Sequence, residues 1–479
     1  MNKKFVVIAF TIILVLATLA LLVIFTIEPA KPLAETRGSI TIQATSIPSP
    51  TNRSEPTAIA SSTPMATATA TLPLPTATPR PTPTPTPTPK PLFKSFFTFE
   101  PDDKVQQLSP GVIQVQRTAK GPMKINIVLF DLTAKEFQMR VVSNEDWLSG
   151  VARTSTLAKA NKALVAVNGD EFSSIGLPQG MMVSDGQLFM APKHRATFGW
   201  TKDRQPFIGF FTQDWTWPSE VISANGAKRS LQLLNTTCEN DWMCLYNEFY
   251  GNLPLRYNEY RVLLDANYKV IDIKDEAALK ILPGQMVLVG KGLSRTWLKE
   301  NIKLGDNLRL NLVTNPDYRK FDQVVSGGPI VLDKGKFVQD CLCNLRDCSQ
   351  TVIPIEYQGP LCEEFTTEWK YAHYLTVRMP RIGIGYNKDK TILIVTATDG
   401  YQPGYSIGMT SHEVANLLLE FGAYSGMELD GGGSATMWVG DKLVSRPSDG
   451  GGSVERYVAN ALTFYWNEPR TPPGKGALP

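Results

Sequence analysis

MELDGGGSATM, residues 427–437, carries the strongest structural signal in this chain. The apolar approach of residues 427–429 predicts a strand that ends at Asp430. Three glycines follow, and such a run is expected where the backbone turns tightly or lies against a ligand. A carboxylate at a strand end, with Ser434 and Thr436 beyond it, is typical of a polar site. A plain loop is the alternative.

A helix is predicted immediately before this strand, over residues 411–421. Thr410 and Glu413 have the spacing of a capping box, the apolar residues of the segment fall on one face, and Gly422 stands where a helix C-cap is expected. Rigid elements therefore deliver Asp430 to its position, which favours a site over an unstructured loop.

The same five letters recur at Asp449-Gly450-Gly451-Gly452-Ser453. This copy follows Arg446-Pro447-Ser448 and not an apolar strand, so we expect a mobile surface loop there. The letters by themselves therefore indicate little, and the strand before Asp430 carries the interpretation.

The chain beyond residue 92 alternates short apolar runs with Gly, Asn and Asp turns, which predicts the α+β class: a single β-rich mixed domain with a few helices. Residues 154–161 form the other helix candidate. The predicted strands are 124–132, 163–167, 207–211, 260–264, 281–289 with a turn at Pro283-Gly284, 308–313, 323–332 and 427–429.

The N-terminal region predicts a membrane anchor. Residues 5–27 form an uncharged run of about the length that spans a bilayer. Lys3 and Lys4 precede it, so the positive-inside rule places residues 1–4 in the cytoplasm and the C-terminal domain outside it. A cleaved signal peptide is the alternative, but the run is longer than the usual apolar region and lacks a clear small-x-small cleavage site.

A disordered Pro/Thr-rich stalk is predicted over residues 28–91. From about residue 46 it consists mostly of Thr, Pro, Ala and Ser, which cannot build a core and favour an extended spacer. The folded domain is predicted over residues 92–468 and a flexible tail over 469–479. With 48 basic and 45 acidic residues and a net charge of +3, the composition gives no reason to expect nucleic acid as a partner.

All six cysteines lie beyond the stalk, and an even number outside the cytoplasm predicts disulfides. Proximity favours pairing of Cys238 with Cys244. The remaining four, which would pair among themselves, are Cys341, Cys343, Cys348 and Cys362. A metal knuckle at Cys341-x-Cys343 is the alternative, although the three histidines are scattered.

Several polar clusters end apparent strands. Glycosidic hydrolysis needs a carboxyl to protonate the leaving oxygen and usually a second as base or nucleophile, whereas a phosphate needs arginine forks or backbone N–H groups. The P-loop sequence is absent. A Gly-x-Ser-x-Gly occurs at residues 404–408, but Gln402-Pro403 precedes it and no histidine lies beyond His412, which disfavours a serine hydrolase.

Taken together, these segments resemble the phosphodiester glycosidase family, in family order over about residues 110–466. The matching segments are Ala166-Val167-Asn168-Gly169, residues 180–186, Ser326-Gly327-Gly328-Pro329, Arg381-Ile382-Gly383-Ile384-Gly385, Thr398-Asp399-Gly400, residues 406–410, residues 428–437 and residues 455–460. The resemblance implies a single mixed domain that cleaves a sugar from a phosphodiester-linked glycan. Asp170-Glu171 and Tyr401 depart from the family pattern, which bears on substrate identity more than on fold.

The predicted catalytic carboxylates are Asp430, Glu428 and Asp399. The predicted substrate-binding residues are Asn168, Asp170, Gly327, Gly328, Arg381, Gly431, Gly432, Gly433, Ser434, Thr436 and Arg456. Each has a structural alternative: a turn former for the acids, an ion pair for Arg381 and a self-satisfied loop for the hydroxyls. For His412 a surface or packing role is favoured. No cofactor is assigned and the metal ligands are unknown, so a divalent cation such as calcium stays open.

The leading hypothesis is a membrane-anchored, extracytoplasmic glycosidase acting on a glycosyl phosphodiester in a surface polymer or secreted glycan. Two alternatives stay open: a non-catalytic glycan-binding module of the same fold, and a phosphodiesterase that cuts the phosphate side. Its partners would be the phosphodiester-linked glycan and, through residues 5–27, the membrane.

Overall fold

The computed structural model describes residues 93–144, 150–193, 195–211, 219–338 and 373–467, all within the compact unit Thr86–Pro479. The predicted anchor, the stalk, the cysteine-rich segment at 341–371 and the C-terminal tail lie outside these residues. Within the described ranges, no helix is long and apolar enough to cross a membrane.

The largest sheet has eight antiparallel strands, numbered with all others from β1 to β30 along the chain. In spatial order they are β1 (Lys104–Ser109), β2 (Val112–Ala119), β3 (Met123–Asp131), β25 (Ile392–Thr398), β24 (Arg381–Tyr386), β26 (Ser425–Leu429), β22 (Ile330–Asp333) and β23 (Lys336–Phe337). Strand β26 pairs with β24 on one side and β22 on the other, so the approach to Asp430 is held from both sides.

A second sheet of five antiparallel strands begins where the glycine loop ends. Its strands are, in spatial order, β28 (Lys442–Leu443), β27 (Met437–Val439), β6 (Val165–Asn168), β30 (Asn460–Trp466) and β4 (Phe137–Ser143). Strands β5 (Ala152–Arg153) and β29 (Tyr457–Val458) form a separate two-stranded antiparallel ribbon, and β29 comes just before β30 in the chain. Residues 430–436 therefore connect the two sheets.

The remaining strands form four further sheets, of five, three, five and two strands. One has β10 (Pro206–Gly209), β9 (Thr197–Thr201), β21 (Phe321–Ser326), β7 (Met182–Ser184) and β8 (Gln187–Met190), and another has β12 (Lys228–Leu231), β11 (Ser219–Ile222) and β20 (Arg309–Asn311). The third has β13 (Leu233–Leu234), β14 (Met243–Asn247), β19 (Met286–Gly290), β16 (Tyr260–Leu264) and β17 (Val270–Asp275). The fourth is the pair β15 (Asn252–Leu253) and β18 (Leu279–Lys280).

Helices contribute little of the described chain. The α-helices found there are α1 (Thr154–Ala160), α2 (Gly292–Asn301), the single turn α3 (His373–Thr376) and α4 (Ser411–Glu420), with 3₁₀ turns at Phe93–Phe96, Glu248–Tyr250, Tyr318–Lys320 and Gly432–Ser434. Helix α4 has the predicted capping box, because the Thr410 hydroxyl accepts from Glu413 N and the Glu413 carboxylate accepts from Thr410 N. The β-rich mixed class is confirmed.

Both faces of the eight-stranded sheet are buried, as the alternation along β3 shows. Ile127 and Leu129 join the cluster that contains the apolar face of α4. Val128 and Phe130 point to the other face, where the Phe130 ring stacks on Phe464 of the second sheet at 4.7 Å between centroids. Because successive side chains of a strand face opposite ways, one apolar run supplies both cores.

Strand ends from both sheets meet around Asp430. Strand β26 ends directly before Asp430. The main-chain N of Asp430 donates to the main-chain oxygen of Gly169 at 2.9 Å, and Gly169 directly follows β6. Gly169 N in turn donates to the oxygen of Asn460 at the start of β30. The register of the sheets therefore fixes the backbone of the candidate site.

Candidate active site

Asn168 locks the glycine loop to the second sheet. This fully buried side chain donates from Nδ2 to the main-chain oxygen of Asp430 at 2.7 Å and accepts at Oδ1 from Thr436 N at 2.9 Å. Both ends of its amide are thus engaged by the loop. The structure gives Asn168 a positioning contact with the predicted loop residues.

Asp430 has the electrostatics of a proton-transfer group. The residue is partly exposed, yet burial of its carboxyl is the main influence on its pKa. Together with the nearby negative charges of Glu171 and Asp170, burial raises the pKa to about 7, while Ser434 and Arg456 oppose the shift. A carboxyl with this pKa is suited to general acid–base work near neutral pH.

Asp170 lies next to Asp430 in the structure but has different partners. It is buried, accepts at Oδ2 from Gly180 N at 2.6 Å and lies 3.4 Å from Arg195 Nη2. Arg195 Nη2 also lies 3.4 Å from the half-buried Glu171. Burial raises the pKa of Asp170 in spite of Arg195. The sequence interpretation did not single out Arg195, which no spacing links to these acids.

Glu428 and Arg381 face each other as a buried ion pair. Arg381 Nη1 donates to Glu428 Oε2 at 2.6 Å, and each side chain is 1% exposed. Arg381 also donates to the main-chain oxygens of Met409 and Val377 at 3.1 Å. Burial raises the pKa of Glu428. The geometry matches the ion pair that was the structural alternative for Arg381. The catalytic role of Glu428 and the substrate-binding role of Arg381 stay predictions.

Asp399 lies in surroundings distinct from those of Asp430. Its Oδ2 accepts from the Tyr405 hydroxyl at 3.0 Å and its Oδ1 from Arg446 N at 2.9 Å. The Arg446 guanidinium lies over the Tyr405 ring, 4.8 Å from its centroid. Burial raises the pKa of Asp399 to about 6. Asp399 is therefore a second carboxyl whose pKa is raised by burial, and the sequence interpretation did not assign Tyr405 or Arg446 to the site.

Gly327 and Gly328 form a close contact with β26. Gly327 N donates to the Ala196 oxygen at 3.0 Å and Gly328 N to the Glu428 oxygen at 2.9 Å. A Cβ on Gly327 would lie 2.8 Å from that same Glu428 oxygen. These glycines therefore allow two backbones to approach, and their N–H groups already have partners.

The second Asp-Gly-Gly-Gly-Ser sequence lies at the surface and contacts the glycine loop. Residues 449–453 are partly or fully exposed, and the Asp449 carboxylate accepts from Arg456 through two contacts of 2.8 and 3.0 Å. That ion pair lies on the glycine loop: a Cβ on Gly433 would be 2.0 Å from Arg456 Nη2. A long-range contact, which no local sequence pattern predicts, therefore brings Asp449 to the glycine loop.

The other predicted loop residues are buried beside Asp430. Gly432 has a φ of 59°, and its N donates to the Pro380 oxygen at 2.9 Å. Ser434 and Thr436 are each 1% exposed. The Ser434 hydroxyl lies close enough to Asp430 to influence its pKa, yet within the described residues no atom stands in hydrogen-bond geometry to it.

Ser406 of the Gly-x-Ser-x-Gly sequence and His412 both have structural contacts. Ser406 is buried and donates to the main-chain oxygen of Asp399 at 2.6 Å, so it caps a turn and is not an exposed nucleophile. His412 is exposed on α4 and packs against the Phe337 ring at 4.7 Å. Cys238 and Cys244 form the predicted disulfide.

The described part of the chain contains no grouping of three or more His, Cys, Asp or Glu side chains arranged to hold a metal ion. The polar side chains around the glycine loop are the Asp430 carboxyl, whose pKa is raised, the buried Ser434 hydroxyl and the Arg456 guanidinium.

The fold and the site define a β-rich mixed domain whose polar loops gather where strand ends of two packed sheets meet. Residues 262–465 match the family model described as phosphodiester glycosidase, so the resemblance predicted from the sequence is confirmed. That segment includes Asp399, the glycine loop and Arg456, whereas Asn168 and Asp170 precede it.

Several solved structures are similar to the chain. A hypothetical protein from Synechocystis has a TM-score of 0.60 at 19% identity, covering 77% of this chain and 64% of its own. The "Putative exported protein" of Burkholderia pseudomallei K96243 has a TM-score of 0.56 at 22% identity, covering 72% and 74%. At these identities the likeness shows the fold alone.

Two further proteins share weaker or shorter similarity. The catalytic domain of zebrafish N-acetylglucosamine-1-phosphodiester alpha-N-acetylglucosaminidase, auto-inhibited by its pro-peptide, has 17% identity over 76% of this chain and 84% of its own, with a TM-score of 0.38 that carries no argument. The SPbeta prophage-derived uncharacterized protein YomE of Bacillus subtilis (strain 168) is 36% identical over 97 residues, 20% of this chain and 14% of that relative's length.

Proposed function

We propose that this protein hydrolyses a glycosyl phosphodiester, a sugar linked through phosphate, in a surface or secreted glycan. The surroundings of the Asp430 carboxyl are the observation that supports the proposal. Its carboxyl has a pKa raised to about 7 and lies beside the buried Ser434 hydroxyl and near the Arg456 cation. The family match over residues 262–465 supports the reaction class.

In the proposed reaction the bond between the anomeric carbon and the phosphate oxygen breaks, and water supplies the hydroxyl of the released sugar. A phosphate leaves as a weakly basic anion, so it needs less protonation than a sugar hydroxyl would. Activation of water is then the larger demand, and Asp430 in its ionised form accepts the proton. Asp399, with a pKa of about 6, is the candidate for a second carboxyl role.

The proposed location is outside the cytoplasm, with residues 5–27 as a membrane anchor. Lys3 and Lys4 before that run support the orientation. The Cys238–Cys244 disulfide supports an oxidising compartment, because cytosolic thiols are kept reduced. The phosphodiester-linked glycan or cell-surface polymer is then the proposed partner.

Product analysis tests the proposal. The purified protein is incubated with a panel of sugar 1-phosphodiesters, N-acetylglucosamine among them, and free sugar is the expected product. Asp430→Asn is expected to lower turnover by about 100-fold or more. Asp441→Asn, an exposed aspartate in the turn after β27, is the matched control and should retain activity.

Other results of the same assay identify the alternatives. A sugar phosphate product would favour a phosphodiesterase that cuts the phosphate side, and saturable binding without any product would favour a glycan-binding module. A parallel reaction with a chelator, followed by added calcium, tests whether a divalent cation takes part. An Asp430→Asn enzyme of full activity would exclude the role assigned to that carboxyl.

A further inference from the structure

Arg456 is the cation that acts on Asp430, but its guanidinium is already engaged. Asp449 accepts from Arg456 Nε at 2.8 Å through Oδ2 and from Nη2 at 3.0 Å through Oδ1. This two-oxygen contact is the geometry in which a guanidinium also holds a phosphate. The Asp449 carboxylate therefore resembles a phosphate in both charge and shape.

The ion pair lies directly against the loop that follows Asp430. A Cβ on Gly433 would be 2.0 Å from Arg456 Nη2 and 2.5 Å from Asp449 Oδ1, so the absence of a side chain at this position admits both groups. A second polar group is close by. The Ser434 hydroxyl is buried and acts on the Asp430 carboxyl, whose pKa it lowers, so it is a donor directed at the same site.

We propose that the Asp449 carboxylate occupies the phosphate position of the site, and that a phosphodiester binds by displacing Asp449 from Arg456. The two non-bridging oxygens of the incoming phosphodiester take over the guanidinium contacts, and the Ser434 hydroxyl becomes a further donor. This inference rests on the proposed function for its biological meaning, while the anion exchange itself requires no turnover.

The exchange is physically easy. The side chains of Arg456 and Asp449 are 44% and 33% exposed, and ion pairs exposed to this degree contribute little to stability. The residues that follow Asp449 are three glycines with φ values of 57°, 66° and 98°. The Asp449 main-chain oxygen accepts from Gly452 N and from Val454 N, each at 3.1 Å, so the exchange needs only a rotation of the Asp449 side chain and leaves the loop backbone in place.

Binding of dimethyl phosphate, a phosphodiester without a sugar, tests the inference by calorimetry on the full-length protein. Asp449→Asn keeps the size of the side chain and removes its charge, and it should bind dimethyl phosphate about fivefold more tightly than the unmodified protein. Arg456→Gln should weaken binding of dimethyl phosphate. The double variant, which adds Asp449→Asn, should show no gain in affinity over Arg456→Gln alone. Asp317→Asn breaks a pair with Arg319, whose side chains are 34% and 67% exposed, and should leave the affinity unchanged.

Equal or weaker binding by folded Asp449→Asn, or no binding by any variant, would overturn the inference. Thermal unfolding checks that each variant is folded, and Asp449→Ser provides a second variant at the same position. Hydrolysis is measured separately. Tighter binding by Asp449→Asn without any hydrolysis would support the anion exchange and contradict the proposed function. Hydrolysis with unchanged binding would support the proposed function and contradict the anion exchange.

Discussion

The side-chain amide of Asn168 donates to the main-chain oxygen of Asp430 at 2.7 Å, so the end of β6 holds the end of β26. The same amide accepts from Thr436 N, which fixes the other end of the glycine loop. One buried side chain therefore sets the entry and the exit of the segment that carries the candidate base.

Asn168→Ala should lower both stability and activity. The substitution removes the side-chain partner of the Asp430 oxygen and of the buried Thr436 N, and each unsatisfied buried group costs about 1–3 kcal/mol. We expect a loss of about 2 kcal/mol or more in the free energy of unfolding, measured with denaturant. Asn416→Ala, on the exposed face of α4, is the control and should change it by less than about 0.5 kcal/mol. An unchanged unfolding midpoint for Asn168→Ala would contradict the positioning role.

The pH dependence of hydrolysis should report Asp430. Because burial raises its pKa to about 7, the ionised base is present above that pH, so kcat/KM is expected to rise with pH and level off above about pH 7. The measurement is a pH profile of initial rates. A profile that is flat from pH 5 to 8 would argue against a base with this pKa.

Stability should show the opposite trend. A carboxyl whose pKa is higher in the folded than in the unfolded state binds more protons when folded, so its contribution is present at low pH and is lost as pH rises through about 7. Asp430→Asn removes this loss. The variant should be more stable than the unmodified protein at pH 8, by up to about 4 kcal/mol, and about equal to it at pH 4.

The Arg381–Glu428 pair should behave as a buried unit. Removing one partner leaves an uncompensated charge, so Arg381→Met or Glu428→Leu is expected to cost about 3–5 kcal/mol. The double variant should recover a large part of that loss, since both charges are gone. Denaturant unfolding measures all three. Additive losses in the double variant would show that the two side chains do not depend on each other.

Two glycines should separate stability from function. Alanine at Gly433 meets the ends of two exposed side chains, which can move, so Gly433→Ala should impair substrate binding more than folding. Alanine at Gly327 meets the Glu428 oxygen at 2.8 Å and the Leu429 Cα at 3.2 Å, which cannot move without breaking β26. Gly327→Ala should therefore cost stability first. Unfolding midpoints and Michaelis constants of both variants decide this.

Local sequence patterns predicted what neighbouring residues determine among themselves. The capping box of α4 needs residues within one helical turn, and the strand before Asp430 needs its own apolar run, so both were readable. The pairing of Cys238 with Cys244 followed from their separation by six positions. The resemblance to the phosphodiester glycosidase family added the order of the polar turns.

The tertiary structure decided which polar groups meet. The register of β24 against β26 brings Arg381 to Glu428, packing of distant loops brings Arg195 to Asp170, and the contact of Asp449 with Arg456 lies on Gly433. No local pattern encodes these contacts, because side chains far apart in sequence become neighbours through the register of strands and the burial of sheets. The sequence alone therefore identified Asp430 as a candidate, and the fold supplied the burial and the neighbouring charges that raise its pKa.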